Sequence, residues 1–129
     1  MDKMKVAYKV VAINQRGQFV SPWYHGKNIK KVVYTPGKWV KNPKKMNTDR
    51  REDCGSGLHL MYAGMRWLSG KSEDYFEDGE HAVLKVKYHP KDAIIPNDAY
   101  YKFRVSKCFV VGRVKVMWNH TTDRWNTRA

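Results

Sequence analysis

Residues 57–68 read Gly-Leu-His-Leu-Met-Tyr-Ala-Gly-Met-Arg-Trp-Leu. Leu60, Ala63, Gly64, Trp67 and Leu68 fall at i, i+3, i+4, i+7 and i+8, one apolar stripe along a helix. The spacing therefore predicts a short strand over 57–60 that runs into a helix, which Ser69 and Gly70 end. The flanking segments alternate instead. Residues 5–13 (KVAYKVVAI) are rich in β-branched side chains and predict a strand. Asn14 to Gln18 supply a turn, and residues 19–23 pair back as a hairpin that Pro22 confines to an edge. Residues 31–34 and 38–41 flank Thr35-Pro36-Gly37 and predict a second hairpin. Ala82, Leu84, Val86 and Tyr88 alternate with Val83, Lys85 and Lys87, a half-buried strand with a basic outer face. Tyr101, Phe103 and Val105 alternate with Lys102, Arg104 and Ser106, and residues 109–116 form a last strand. Residues 42–53 are a polar loop, and residues 71–80 an acidic one. The expected class is α+β: mostly antiparallel strands with one central helix packed on the sheet.

A chain of 129 residues fits one domain, here residues 1–116, with a polar C-terminal tail over 117–129. Its hydrophobic fraction of 42% is enough to exclude a disordered chain. Two cysteines, Cys54 and Cys108, are too few for a disulfide framework. The start, Met1-Asp2-Lys3-Met4-Lys5, lacks the apolar run of a signal peptide, and no stretch has the length of a membrane span. These features predict a cytoplasmic protein with reduced thiols and no membrane partner.

Charge narrows the function. Lys and Arg number 25 against 12 acids, a net +13, beyond the roughly 2–8 that solubility asks of a small domain. Such a field attracts polyanions and excludes an acidic DNA mimic. Over residues 27–51 nine basic residues (Lys27, Lys30, Lys31, Lys38, Lys41, Lys44, Lys45, Arg50 and Arg51) meet one acid, Asp49. Trp23, Tyr24, Tyr34 and Trp39 lie beside or among them. Lysines neutralise phosphates, and exposed rings stack on unpaired bases. On a strand pair Tyr34 and Trp39 pack most simply into a core, whereas an exposed Trp39 beside lysines serves stacking. A second basic surface, Lys85, Lys87, Lys102 and Arg104, forms one patch if its two strands are neighbours. The acidic loop with Glu73, Asp74, Glu77, Asp78 and Glu80 is either a solvated excursion or a shield for the basic groove.

Several segments carry a resemblance. Cys54-Gly55-Ser56-Gly57-Leu58-His59-Leu60, Tyr62-Ala63, residues 85–92 (KVKYHPKD), Pro96-Asn97-Asp98 and Lys102-Phe103-Arg104-Val105 resemble a domain of rIIB-like proteins of tailed phages. That domain has a Cys-x-x-Gly-Leu-His run, a helix, a Val-x-Pro-x-Asp-Val-Val pattern, a Pro-x-Asp turn and a Lys-x-Arg strand. The similarity covers about residues 50–112, with an echo in Tyr8-Lys9-Val10-Val11. This chain departs from it in Ala93-Ile94-Ile95 and in the long acidic insertion at 73–80. The resemblance implies a phage protein acting in an infected bacterium and implies no particular chemistry.

The order of elements is also faintly similar to the ADP-ribosyltransferase fold, through Gly57-Leu58-His59-Leu60 and the helix after it. Such enzymes need a Glu on a late strand. The comparable strand here, residues 106–111, offers Lys107, and an ammonium only donates hydrogen bonds. That similarity implies fold without transferase chemistry. Cys54 and His59, with Cys108 and His120, lack the paired spacing of zinc modules. A Cys54–His59 nucleophile would have no orienting carboxylate and no oxyanion hole. No catalytic residue, metal or cofactor is expected. The expected function is a non-enzymatic, phage-encoded binding protein that engages nucleic acid. Its alternatives are an effector that binds and inhibits an acidic host protein (a defence or transcription factor) and, last, an atypical ADP-ribosyltransferase-like or nucleotide-handling protein.

Overall fold

The computed structural model describes residues 3–21, 32–43, 45–51, 56–62, 81–97, 102–119 and 124–128, the side chains of 117–119 and 124–128 excepted. Nine strands lie among them: β1 (Lys5–Ile13), β2 (Phe19–Val20), β3 (Trp39–Lys41), β4 (Leu58–Met61), β5 (His81–Tyr88), β6 (Ala93–Ile94), β7 (Lys102–Val105), β8 (Lys107–Asn119) and β9 (Arg124–Arg128). They form one antiparallel sheet of order β3-β8-β5-β1-β4-β7-β6, with β2 paired to β1 and β9 to β8. The sheet curls into a half-barrel. Ser106 alone joins β7 to β8 although three strands separate them in the sheet, and this corner draws the sheet round. The Asn42 N–H donates to the Ser106 carbonyl at 2.8 Å and fastens β3 to the corner.

The α+β expectation, with a central helix packed on the sheet, is overturned. The fold is mostly antiparallel β, and the one helical element among the described residues is a 3-10 turn at Pro90–Asp92. Leu60, first residue of the expected stripe, is fully buried in β4. Leu58 and Leu60 also satisfy period two, and β4 is paired on both sides, by β1 at Tyr8↔Met61 and by β7 from Leu58↔Val105 to Met61↔Lys102. A helix begun at Leu60 would forfeit those ladders, so sheet pairing decides between two patterns that share a residue. Ala63, Gly64, Trp67 and Leu68 lie outside the described residues, as does the acidic loop.

Other segments differ by less. β1 covers the residues whose β-branching predicts it, and the Asn14 side chain organises the turn to β2: its Oδ1 accepts from the N–H groups of Arg16 and Gln18. The Pro36-Gly37 turn is present, with Gly37 at φ 82°. Its arms do not pair with each other. Val33 bridges to Val20, and β3 pairs with β8. Residues beyond Val116, expected as a tail, continue β8 to Asn119 and return as β9.

The core fills the concave side: Ala7 and Val11 of β1, Leu58 and Leu60, Leu84, Val86 and Tyr88 of β5, Phe103 and Val105, Cys108 and Val110, capped by Tyr34. A second apolar row, Val10, Val83 and Val114, is buried on the other face, in register across β1, β5 and β8.

Arg104 corrects the second basic surface. Its position on the strand is outward, like that of Lys102, yet it is 0% exposed. Its Nε donates to the Asn47 carbonyl at 2.7 Å and its Nη2 to the Asp49 carbonyl at 2.6 Å. The loop after β3 folds over it, and its charge serves two part-buried carbonyls instead of solvent. Gly57 makes room: at φ +155°, an added Cβ would stand 2.9 Å from the Arg104 Cβ. Gly57→Ala is expected to lower stability by about 2 kcal/mol, from backbone strain and the clash. Arg104→Met should cost about 3 kcal/mol by stranding both carbonyls. Urea unfolding measures both, and amide exchange at Asn47 and Asn97, whose N–H groups donate to Ser56 and Arg50, should accelerate in Arg104→Met.

Candidate nucleic-acid interface

The convex face near the β3 edge gathers cations around an exposed ring. Register builds it: Trp39 opposes Phe109, Phe109 opposes Lys87, and Lys87 opposes Val6, one row across β3, β8, β5 and β1. Directly opposed residues of antiparallel strands share a face. One step along, Lys41 opposes Lys107 on that same face. Trp39 is 45% exposed, more than any core ring of this fold. His89 lies nearly parallel to it, 5.8 Å between centroids and 8° between planes. Phe109 meets it edge-on at 5.7 Å, and the Lys107 ammonium stands 5.6 Å from its centroid. The indole is thus braced by two rings and a cation while nearly half its surface stays open.

Lys41 and Lys107 are like charges in directly opposed positions, their Cβ atoms about 5 Å apart, an arrangement that destabilises a sheet unless an anion lies between them. Among the described residues neither has a carboxylate at ion-pair distance, whereas Arg51 and Asp49 do pair, at 3.0 Å.

The other candidates scatter. Lys27, Lys30, Lys31 and Lys44 lie outside the described residues, with Trp23 and Tyr24. Lys38 and Lys45 are exposed. Arg50 donates from Nε to the Ile95 carbonyl at 2.9 Å. Arg51 grips Asp49 with two hydrogen bonds of 3.0 Å, which hold that carboxyl below the usual carboxylate range and cancel the arginine's charge locally. Lys85 and Lys102 share a row on the convex face, but Tyr8 and Met61 separate them by three strand spacings, about 14 Å. The structure therefore brings together Lys41, Trp39 and Lys87 of the sequence candidates, and adds Lys107, Phe109 and His89. Tyr34, the other ring in the basic stretch, is core.

The sequence reading also overlooks Lys9. Its alternation with Ala7 and Val11 points inward, and it is 7% exposed. Pairing of β1 with β4 is limited to Tyr8↔Met61, and the Lys9 Nζ donates to the carbonyl of the neighbouring His59 at 2.8 Å. The Tyr34 ring lies 5.5 Å from the ammonium. Burial lowers the Lys9 pKa to about 8, partly opposed by Cys108. Burial raises the Cys108 thiol to about 11, and Tyr34 is raised as well. A neutral, buried Cys108 is a poor nucleophile and packs as an apolar residue. His59 is half-buried in β4; Cys54 and His120 lie outside the described residues.

Comparison with protein-family models, curated proteins and solved structures finds no match for this chain.

The interior cluster makes stability depend on pH. Lys9 holds its proton less tightly folded (about 8) than unfolded (10.5), so the unfolded chain carries more protons between those values and stability rises with pH there. Cys108 acts oppositely: raised from 9.0 to about 11, it makes stability fall with pH above 9. Urea midpoints are expected to climb from about pH 8 to about pH 9 and then level off. Lys9→Met should abolish the climb, and Cys108→Ala should extend it toward pH 10.

Proposed function

We propose that this chain is a non-enzymatic binding protein that engages nucleic acid through the convex face carrying Lys41, Lys87 and Lys107 around Trp39. The observation that carries the reading is the opposed Lys41–Lys107 pair beside an exposed indole. Repulsion between the two ammoniums is relieved when a phosphate bridges them, so binding energy is available that the free protein does not realise. A net charge of +13 concentrates polyanions at the surface and accelerates their capture. Contacts of this type recognise the backbone and are weakly sequence-specific. The resemblance to rIIB-like proteins supports a phage-encoded protein working in the host cytoplasm.

Salt dependence tests it. On a single-stranded oligonucleotide each neutralised phosphate contributes about −0.7 to the log–log salt slope. Because the two lysines share one phosphate, Lys41→Gln with Lys107→Gln should weaken binding and shrink the slope by about 0.7. Absence of binding to any oligonucleotide at low salt, or an unchanged slope in the double variant, overturns the proposal. The former result would turn the same charge toward an acidic host protein.

A further inference from the structure

We infer that the face selects unpaired strands, with one base stacked on the open surface of Trp39 and its flanking phosphates on Lys41–Lys107 and Lys87; this rests on the nucleic-acid reading above. Phosphate contacts alone treat single strands and duplexes as similar polyanions. The ring distinguishes them. A base inside a duplex is already stacked and paired, and freeing it costs a few kcal/mol, whereas an unpaired base offers its face at once.

The geometry suits a stack. Trp39 sits on β3, a three-residue strand at the end of the sheet order, so its exposed side meets no further strand of that path. His89 already lies parallel to the indole at 8°, and a base on the open surface continues a pile the protein has begun. Phe109 fixes the tilt from the edge, which keeps the ring from turning when a base arrives. Cations lie on two sides: Lys107 is 5.6 Å from the ring and Lys41 is one pleat along β3, while Lys87 lies two strands away, about 10 Å. Register sets Phe109 between Trp39 and Lys87, so a backbone that runs from the lysine pair toward Lys87 crosses Phe109 with the indole at its side.

Binding of oligothymidylate, a duplex of equal length, and an abasic strand of equal length decides the matter. The wild-type chain is expected to prefer oligothymidylate to both others. Trp39→Ala should weaken oligothymidylate binding about 5- to 150-fold, leave duplex and abasic binding unchanged, and keep the salt slope. Trp39→Phe, which keeps a ring, should restore most of the loss. Equal binding of oligothymidylate and the abasic strand by the wild type overturns the inference without involving any variant. So does a Trp39→Ala loss that is the same on duplex as on single strand. If the wild type binds none of the three at low salt, the nucleic-acid reading itself has failed.

Discussion

A single extra residue in β8 decides which side chains meet the solvent. Lys85 opposes Gly112 and Val86 opposes Val110, so Val111 is unmatched and bulges, with Gly112 at φ 158° taking the turn in the backbone. Side chains alternate with period two, and one inserted residue reverses the facing of everything on one side of it. With the bulge, Val110 and Cys108 join the core beside Val86, while Phe109 and Lys107 face outward beside Lys87. Without it, Phe109 would enter the core and Val110 would stand beside Lys87. β3 takes its register from this part of β8, so Trp39 and Lys41 inherit the same choice.

Two cations that look available in the sequence serve the fold. Lys9 and Arg104 are both buried, and both donate to backbone carbonyls where regular pairing does not: Lys9 to His59 beside the short β1–β4 ladder, Arg104 to Asn47 and Asp49 in the loop laid over β7. A buried charge is costly unless hydrogen bonds compensate it, and an unpaired buried carbonyl is costly too, so each pairing resolves two deficits at once. Arg51 is likewise taken up by Asp49. Net charge therefore overstates the surface on offer to a ligand, and the number of basic residues along residues 27–51 is a poor guide to where an anion settles.

Much of the strand content was legible because period two is a local signal: β1, the Asn14-to-Gln18 turn and the alternation of β5 follow from side-chain type and spacing. Three things were not. The strand expected over 57–60 is present as β4, but Leu60 also opens a helical stripe, and only the strands on either side carry the ladder on to Met61. The Pro36-Gly37 turn signals that the chain reverses but not what its arms pair with, and β8, some 70 residues later, proved the better partner for β3. The bulge leaves no mark beyond one glycine, yet it controls whether Phe109 or Val110 is core. For the same reason the site was half legible. Trp39, Lys41 and Lys87 were recognisable as a ring and two cations, but Lys107 and Phe109 join them through long-range register. Arg104 was assigned to the correct face and misjudged as open, because alternation says nothing about a loop that folds back over the sheet.

Protection of an exposed strand edge is the plainest competing explanation for lysines around β3, since charged side chains deter pairing with other chains. It accounts for Lys41, on a strand at the end of the sheet order. It does not account for Lys107 or Lys87, because β8 and β5 have partners on both sides there and need no protection. Nor does it account for a Trp39 left 45% exposed beside Lys41 and Lys107, which adds to the hazard that edge lysines exist to reduce. Lysines on paired interior strands, one of them set directly against the edge lysine Lys41 beside an open ring, oppose both sheet stability and protection from aggregation. Under the proposed function, a ligand that is anionic where the ammoniums lie and flat where the ring lies accounts for an arrangement that opposes both.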